Sequence, residues 1–449
     1  MKTALRIFFP SALVLVSLGP LAAEDVDENA LFSGDKPVVE SKSYEKKDLD
    51  ADQNEKRIGF SGQLTSIYSY SATRQYFQGK GSDGNVFGPS IEGTGYLDAR
   101  LPGADKGFGA FDAVYDCDRE KTTYAMPELF VDFNIARRIY FRTGKQVVQW
   151  GRCYLWNPTD LINVEKKSFT DKIGPREGTS GVKVHVPFGT ALNLYGFACT
   201  VKTKGKAENI AGTGKAEFLV GGTEMAFSVW GANAYNTVGA WDFSTRLLTV
   251  DIKGEASVSD GSNDDKVGVR DGVLTKYRDD SFTTKACLDL GRAFDALDQT
   301  GKIQVNLEGF YNGSGYRKNV FRDRNVYAYD KPITMTVDDE PKTIPGGSKA
   351  VYLAGNELYS LNYMSRWYAA AFVTVNDFFT SSMKLTVNVV GNIEQKCCMS
   401  SVLLSYETLQ GFKASAMVNG YFGEKDTEYT WRYDRISGAD LRLAAGIVF

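Results

Sequence analysis

The sequence predicts an all-β protein, a transmembrane antiparallel β-barrel of about 18 strands, with roughly 16 to 18 as the expected range. Three observations predict it. From Ile58 onward, segments of about ten residues alternate apolar and polar side chains, which is the period of a strand with two different faces. Long polar loops and short turns alternate between these segments. The last segment is apolar at every second position and ends at Phe449.

Composition excludes several other classes. The 449 residues include 45 Gly, only 12 Pro and 13% aromatics, which a disordered or collagen-like chain does not combine. Beyond the first 23 residues, no run approaches the ~20 apolar residues of a transmembrane helix. Removing those residues takes Lys2 and Arg6 from 52 basic residues and leaves all 55 acidic ones, an imbalance too mild to indicate a nucleic-acid partner.

The N-terminal residues predict export and divide the chain into three parts. Lys2 and Arg6 precede a short apolar stretch that ends in small residues at Ala23, so residues 1–23 are expected to be a cleavable signal peptide. A membrane anchor is the alternative, which the short stretch and its prolines disfavour. Residues 24–57 are polar and acidic and are expected to form a periplasmic tail. The barrel is then expected over residues 58–449.

The predicted strands follow from the alternation alone. Ile303, Val305 and Leu307 share one face of their segment, while the residues between them are polar. The alternation changes phase at Leu247 and Leu248, which indicates a tight turn between two strands. In chain order the predicted strands are 58–71, 93–103, 107–118, 126–136, 138–150, 178–188, 190–201, 214–222, 223–233, 238–247, 248–259, 282–291, 301–312, 366–375, 382–392, 399–408, 411–421 and 438–449.

The lengths of the connections indicate the orientation of the barrel in the membrane. Medium or long polar loops follow the first, third, fifth, seventh, eleventh, thirteenth and seventeenth strands, and the longest runs from Gly313 to about Ser365. Connections after even-numbered strands are mostly short, with 292–300 as a longer exception. This asymmetry is typical of an outer-membrane barrel with both termini in the periplasm. A soluble β-sandwich gives no reason for it.

The final strand has features of an assembly signal. Its alternate apolar residues and terminal Phe449 resemble the signal that bacterial barrel-assembly machinery reads, so that machinery and outer-membrane lipid are expected partners. A soluble protein whose last strand happens to end in phenylalanine is the alternative.

One stretch carries a family resemblance. Residues 142–169, RTGKQVVQWGRCYLWNPTDLINVEKKSF, are similar to the G-[KR]-Q-x-x-x-W-G and N-P-T-D-[LV]-[IV]-N pattern of outer-membrane barrels related to alginate-export porins. The resemblance implies a barrel channel for polar or anionic solutes and assigns no substrate.

The same stretch predicts a constriction. Its aromatic and polar groups suit a loop of about 27 residues that folds into the lumen and narrows the pore, or equally one that forms an outward lid. The candidate constriction residues are Trp150, Arg152, Tyr154, Trp156, Asn157 and Asp160.

If the apolar faces contact lipid, the opposite faces line the lumen. The pore-lining candidates are Arg100, Asp112, Arg142, Lys183, His185, Arg246, Lys253, Lys285, Lys302, Glu308, Lys384 and Arg442. A pore for one strongly charged polymer should carry a ring of a single sign, whereas these faces mix both signs. The mixture predicts modest selectivity, or charges that pair across the wall, and argues against alginate-like specificity.

Enzymatic, metal and cofactor functions are not expected. His185 is the single histidine, so no second one exists for a catalytic relay or a histidine metal site. Five of the six cysteines, Cys117, Cys153, Cys199, Cys397 and Cys398, are expected near the outer rim, and Cys287 faces the lumen. Disulfides and free thiols both stay open, and a metal site would require thiols that cluster in space.

The sequence therefore predicts a porin-like outer-membrane channel, monomeric or trimeric, that admits small polar or anionic solutes by passive diffusion. The alternative is a structural or adhesive outer-membrane barrel plugged by its long loops. Secretion as a soluble protein is a further alternative, which cell fractionation would test.

Overall fold

The computed structural model describes residues 57–77, 80–101, 105–148, 150–162, 177–200, 210–296, 299–337, 340–431 and 437–449. The predicted signal peptide, and all of the predicted tail except Arg57, lie outside the described residues.

Eighteen strands form one closed antiparallel barrel, since each pairs with the next along the wall and the last pairs with the first. All of the predicted strands are confirmed. The barrel strands are β1 Arg57–Phe77, β2 Lys80–Leu101, β3 Asp105–Asp116, β4 Lys121–Ile135, β5 Ile139–Gln146, β6 Thr179–Phe188, β7 Leu192–Thr200, β8 Ile210–Val220, β9 Thr223–Ala232, β10 Val238–Leu247, β11 Val250–Ser259, β14 Thr283–Ala296, β15 Gln299–Asn312, β18 Trp367–Val375, β19 Met383–Asn392, β20 Cys397–Glu407, β21 Phe412–Gly423 and β22 Ser437–Val448.

Three predicted loops are shorter in the structure. β1 and β2 stay paired up to Phe77 and Lys80, where a polar loop was expected. The connection after β3 is a turn of residues 117–120. The longer connection expected at residues 292–300 is also wrong, because Phe294 pairs with Ile303 and β14 continues to Ala296. In each case backbone pairing continues without apolar alternation, since ladder hydrogen bonds do not depend on side-chain polarity.

The chain terminus closes the wall. Phe449 exchanges two backbone hydrogen bonds with Gly62 of β1, at 2.7 and 2.9 Å. Among the 18 described barrel strands, closure thus gives each strand a neighbour on both sides, which is the requirement for a sheet that lies in lipid.

The two faces of the wall differ as the alternation predicts. On β15, Leu307 is 50% exposed on the outside, whereas its neighbour Glu308 is 3% exposed on the inside. Apolar side chains are exposed around the outer face, among them Leu64, Tyr68, Leu129, Val131, Phe227, Val229, Trp241, Leu288, Val402, Val418 and Leu443. The tight turn predicted at Leu247 and Leu248 is confirmed, with Leu248 at φ 57°.

The long loops at one end of the barrel fold together into a unit that we call the loop cap. Its four strands are β12 Lys266–Arg270, β13 Val273–Tyr277, β16 Tyr327–Val337 and β17 Glu340–Gly347, with a 3₁₀ turn at Val320–Arg322 and helix α1 at Lys349–Gly355. Leu274, Phe321, Tyr352 and Trp431 pack in its own apolar core. The region predicted as one long loop, Gly313 to Ser365, is therefore largely structured. Among the described residues, no helix combines the length and apolar character needed to cross a membrane.

Candidate pore constriction

The first part of the β5–β6 connection runs inside the barrel. Residues 150–162, here called the inward loop, contact inner-face side chains of strands from β8 round to β18. Trp156 has no exposed surface. Of the two arrangements that the sequence left open, the structure has the inward one rather than the outward lid.

One carboxylate on the wall organises most of this loop. Glu255 of β11 is 3% exposed. Its Oε1 accepts hydrogen bonds from the backbone amides of Arg152 and Cys153 and from Asn157 Nδ2, at 2.5, 2.6 and 2.8 Å. Its Oε2 accepts from the amide and hydroxyl of Thr159, at 3.1 and 2.8 Å. Five donors on one buried carboxylate define the path of residues 152–159.

A second wall carboxylate holds the middle of the inward loop. Glu308 of β15 accepts hydrogen bonds from the amides of Leu155 and Trp156, both at 2.7 Å. The thiol of Cys287 donates to its Oε1 at 2.9 Å. Glu308 was predicted to line the pore; instead it lies under the inward loop.

A single arginine bridges three acids of the inner face. The guanidinium of Arg152 donates to the carboxylates of Asp242, Glu217 and Glu224, three residues that come from β10, β8 and the start of β9. Burial opposes the charge on Arg152, but the neighbouring carboxylates outweigh it and raise its pKa. Lys215 lies 3.4 Å from Asp242 and also donates to the carbonyl of Trp150 at 3.1 Å. The start of the loop is thus held by ion pairs.

Aromatic side chains of the inward loop also pack against aromatic side chains of the wall. The Trp156 ring stacks on Phe310, with centroids 5.2 Å apart, and its Nε1 donates to the carbonyl of Asn362 at 3.1 Å. Tyr154 lies against Phe372, with centroids 4.3 Å apart. Because Asn362 lies in the β15–β18 connection, Trp156 links the inward loop to the chain segment that carries the loop cap.

The predicted turn at residues 157–160 is present. The amide of Asp160 donates to the carbonyl of Asn157 at 3.1 Å, and Asn157 Nδ2 donates to the carbonyl of Cys153 at 2.8 Å. Asp160 is 4% exposed. All six candidate constriction residues therefore lie in the buried inward loop, while their effect on passing solutes stays a prediction.

Glu428 is a third buried carboxylate that accepts several hydrogen bonds, and it lies beneath the loop cap. It was not identified from the sequence. It accepts hydrogen bonds from the amide of Asn362, the hydroxyl of Tyr368 and Nδ2 of Asn392, all at 2.7 Å. Glu255 was missed as well. For Glu255 the signal was available, since it continues the inner-face parity of Asp251 and Lys253.

We predict that stability falls with rising pH because of Glu428. Burial raises the pKa of Glu428 from 4.5 to about 7, and hydrogen bonds from Tyr368 and Asn392 limit the rise. Between these values the folded state holds a proton that the unfolded state has lost, so stability is greatest below pH 4.5 and declines up to about pH 7. The contribution is on the order of 3 kcal/mol.

The measurement is a urea titration of the folded protein in detergent at pH 5 and pH 8, for the wild type and Glu428→Gln. The wild type should lose more stability between the two pH values than the variant, whose amide does not titrate. Equal pH dependence in both proteins would contradict this role.

Five of the predicted pore-lining charges have an acidic partner close to them. Arg142 makes two hydrogen bonds to Asp132, at 2.7 and 2.8 Å. Asp112 is hydrogen-bonded to Thr94. Further ion pairs join Lys285 to Asp264, Arg246 to Asp251, Arg442 to Glu92 and Arg100 to Asp98. Pairing across the wall was one of the two arrangements that the mixed charges predicted.

Five predicted residues on the inner face have other surroundings. His185 bonds Asn193 through Nε2 at 3.0 Å and stacks on Tyr195 at 4.4 Å. Lys183 pairs in register with Arg142 on the neighbouring strand.

Lys253, Lys302 and Lys384 also alternate inward. For these three amines, the described residues offer no carboxylate within ion-pair distance. Many inner-face acids are thus held by cations or amide donors, whereas these three lysines have no acidic partner among the described residues.

Comparison with known proteins extends the fold assignment. No family model matches the sequence, and no curated protein matches it significantly. The structure of OpdL from Pseudomonas aeruginosa matches with a TM-score of 0.51 at 10% identity, over 87% of this chain and 98% of that one. OccK2 (OpdF) of the same organism, solved with glucuronate, matches with a TM-score of 0.49 at 8% identity. The match covers 87% of this chain and 98% of that one. OccAB4 of Acinetobacter baumannii matches with a TM-score of 0.48 at 7% identity, over 88% of this chain and 99% of that one. The likeness to OpdL shows that this chain has the closed 18-stranded barrel fold of outer-membrane porin structures.

Proposed function

We propose that this protein is a bacterial outer-membrane channel that admits small polar or anionic solutes by passive diffusion. The observation that carries the proposal is the inward loop, which lies inside the barrel and is held by Glu255, Glu308 and Arg152. A structural wall needs no such loop, whereas a channel uses one to set its width. The fold shared with OpdL supports the same function.

The location in the outer membrane rests on the surface chemistry. Apolar side chains cover the outer face of a closed sheet, which suits lipid and would be unfavourable in water. Export through the predicted signal peptide and assembly through the C-terminal strand ending at Phe449 belong to this proposal.

The inner-face lysines give the channel a preference for anions. Lys253, Lys302 and Lys384 present amines to the lumen, whereas several inner-face acids are engaged by Arg152, Arg142 and backbone amides. Such a distribution favours anions modestly and does not form a ring of one sign. A small anionic solute agrees with the resemblance to alginate-export porins, and the relationship to that family is part of this proposal.

Planar-bilayer recording tests the proposal. The purified protein should give discrete ion steps, and a salt gradient should give a reversal potential of the sign expected for anion preference. Replacing Lys253, Lys302 and Lys384 together with glutamine should move that potential toward zero or toward cation preference.

The matched control replaces three exposed lysines of the loops, Lys276, Lys331 and Lys396, with glutamine. This variant carries the same change in net charge and should keep the wild-type reversal potential. A wild-type preference for cations would contradict the anionic part of the proposal.

The second candidate, a loop-plugged structural or adhesive barrel, is favoured by the loop cap. Its own apolar core and the ion pair between Arg324 and Asp426 tie separate loops together at one end of the barrel. Folded protein that gives no ion steps would overturn the channel and leave this alternative. His185, with Asn193 and Tyr195 as neighbours, has no catalytic role in either proposal.

A further inference from the structure

A buried cluster of metal-ligating side chains joins the inward loop to the wall. Cys153 of the loop, Cys287 of β14 and Glu308 of β15 are 1%, 5% and 3% exposed. Their Sγ, Sγ and carboxylate oxygen atoms all lie within 4.8 Å of one another. The expectation that Cys153 lies near the outer rim is wrong, because the loop that carries it turns inward.

We propose that Cys153, Cys287 and Glu308 form a binding site for a single zinc ion that fastens the inward loop to the barrel wall. The inference does not depend on which solute, if any, crosses the lumen. It assigns a metal to residues that the sequence alone gave no reason to combine, since Cys153 and Cys287 are far apart along the chain.

The spacing of the ligand atoms suits one tetrahedral ion. With zinc–sulfur bonds of about 2.3 Å, two thiolate sulfurs lie about 3.8 Å apart, within the span of this cluster. Cys287 Sγ already lies 2.9 Å from Glu308 Oε1, so little movement brings both atoms to one ion. Three protein ligands leave a fourth position for water or another small ligand.

The kinds of ligand favour zinc over other thiophilic metals. Iron–sulfur clusters are normally held by four cysteine or histidine side chains, and copper(I) prefers sulfur alone. A site with two thiolates and one carboxylate suits zinc, which accepts sulfur and oxygen ligands in the same shell. Binding would release the two thiol protons to solvent, and no oxidant is required.

The surrounding charges also favour a cation. Glu308 faces the side of the lumen that carries Asp289 and Glu255, with Glu255 opposite Cys287 in the strand register. Glu308 keeps the amides of Leu155 and Trp156 as donors, and these hydrogen bonds leave lone pairs on its oxygens for a metal. The carboxylate is thus oriented before the ion arrives, as the ligands of metal sites usually are.

The test uses the full-length protein, purified from membranes in detergent, kept reduced with a phosphine and dialysed against zinc. Elemental analysis should find about one zinc per chain, and X-ray absorption at the zinc edge should show two sulfur neighbours at about 2.3 Å. Cys153→Ser and Cys287→Ser should each lower the zinc content at least tenfold. Cys199→Ser is the matched control, since Cys199 is also buried but lies in another cluster, and it should keep the wild-type content.

Three results would overturn the proposal. The first is a wild-type protein that retains less than a tenth of an equivalent of zinc. The second is a folded Cys153→Ser variant with undiminished zinc. The third is a disulfide between Cys153 and Cys287 in protein whose free thiols were alkylated at cell lysis, because the two sulfurs would then be committed to each other. If a serine variant fails to fold, the absorption spectrum of the wild type decides, since zero or one sulfur neighbour excludes this site.

Discussion

Replacing Arg152 with alanine is expected to release the start of the inward loop and to lower the free energy of unfolding by about 3–5 kcal/mol. The substitution leaves the carboxylates of Asp242, Glu217 and Glu224 without their shared partner. Asp242 has no exposed surface, so water does not replace the lost cation at low cost. With the loop released, single-channel conductance should rise severalfold, because the lumen then widens toward the bare barrel.

Arg246→Ala is the control for this prediction. Arg246 also bridges an inner-face acid, Asp251, but its side chain is 55% exposed and it lies at the end of β10, beside the turn to β11. An exposed ion pair of this kind contributes about 0–1 kcal/mol, so stability and conductance should stay near wild type. If Arg152→Ala conducts like the wild type although it is folded, the inward loop does not determine the width of the channel.

Replacing Glu255 with alanine is expected to have an effect of similar size by a different cause. The amides of Arg152, Cys153 and Thr159 would lose their acceptor inside the barrel, together with the side chains of Asn157 and Thr159. Each buried donor left unsatisfied costs about 1–3 kcal/mol, although water entering the space recovers part of it. The free energy of unfolding in urea should fall by more than about 3 kcal/mol.

Two further variants separate the loop's hydrogen bonds from general damage to β11. Glu255→Gln keeps one acceptor oxygen and places a donor against the loop amides, so its stability should lie between the wild type and Glu255→Ala. Asp251→Ala alters an acid on the same face of the same strand that pairs with Arg246 instead. It should change stability by less than about 1 kcal/mol. Equal losses from Asp251→Ala and Glu255→Ala would show that the hydrogen bonds between the inward loop and Glu255 contribute nothing specific to stability.

The alternation of apolar and polar residues accounts for what could be predicted. Leu307 and Glu308 face opposite sides because neighbouring residues of any strand do, and the same rule predicts that the pore-lining candidates face inward. The tight turn at Leu248 followed from a change of phase. By contrast, the end of β1 was placed too early and the start of β2 too late, because polar residues continue the ladder there without an alternating pattern.

By itself, the sequence determined the barrel, its strands, the side of the wall on which each strand residue lies and the end at which the long loops gather, since these depend on local periodicity and chain order. Only the tertiary structure decided that the β5–β6 loop turns inward and that Glu255 and Cys287 meet it. The amide of Arg152 and the carboxylate of Glu255 are 103 residues apart. No local sequence pattern contains such a contact, because closure of the sheet brings strands that are distant in sequence to the same lumen. The buried acids of the inner face then form hydrogen bonds with the donors of the loop that lies inside it.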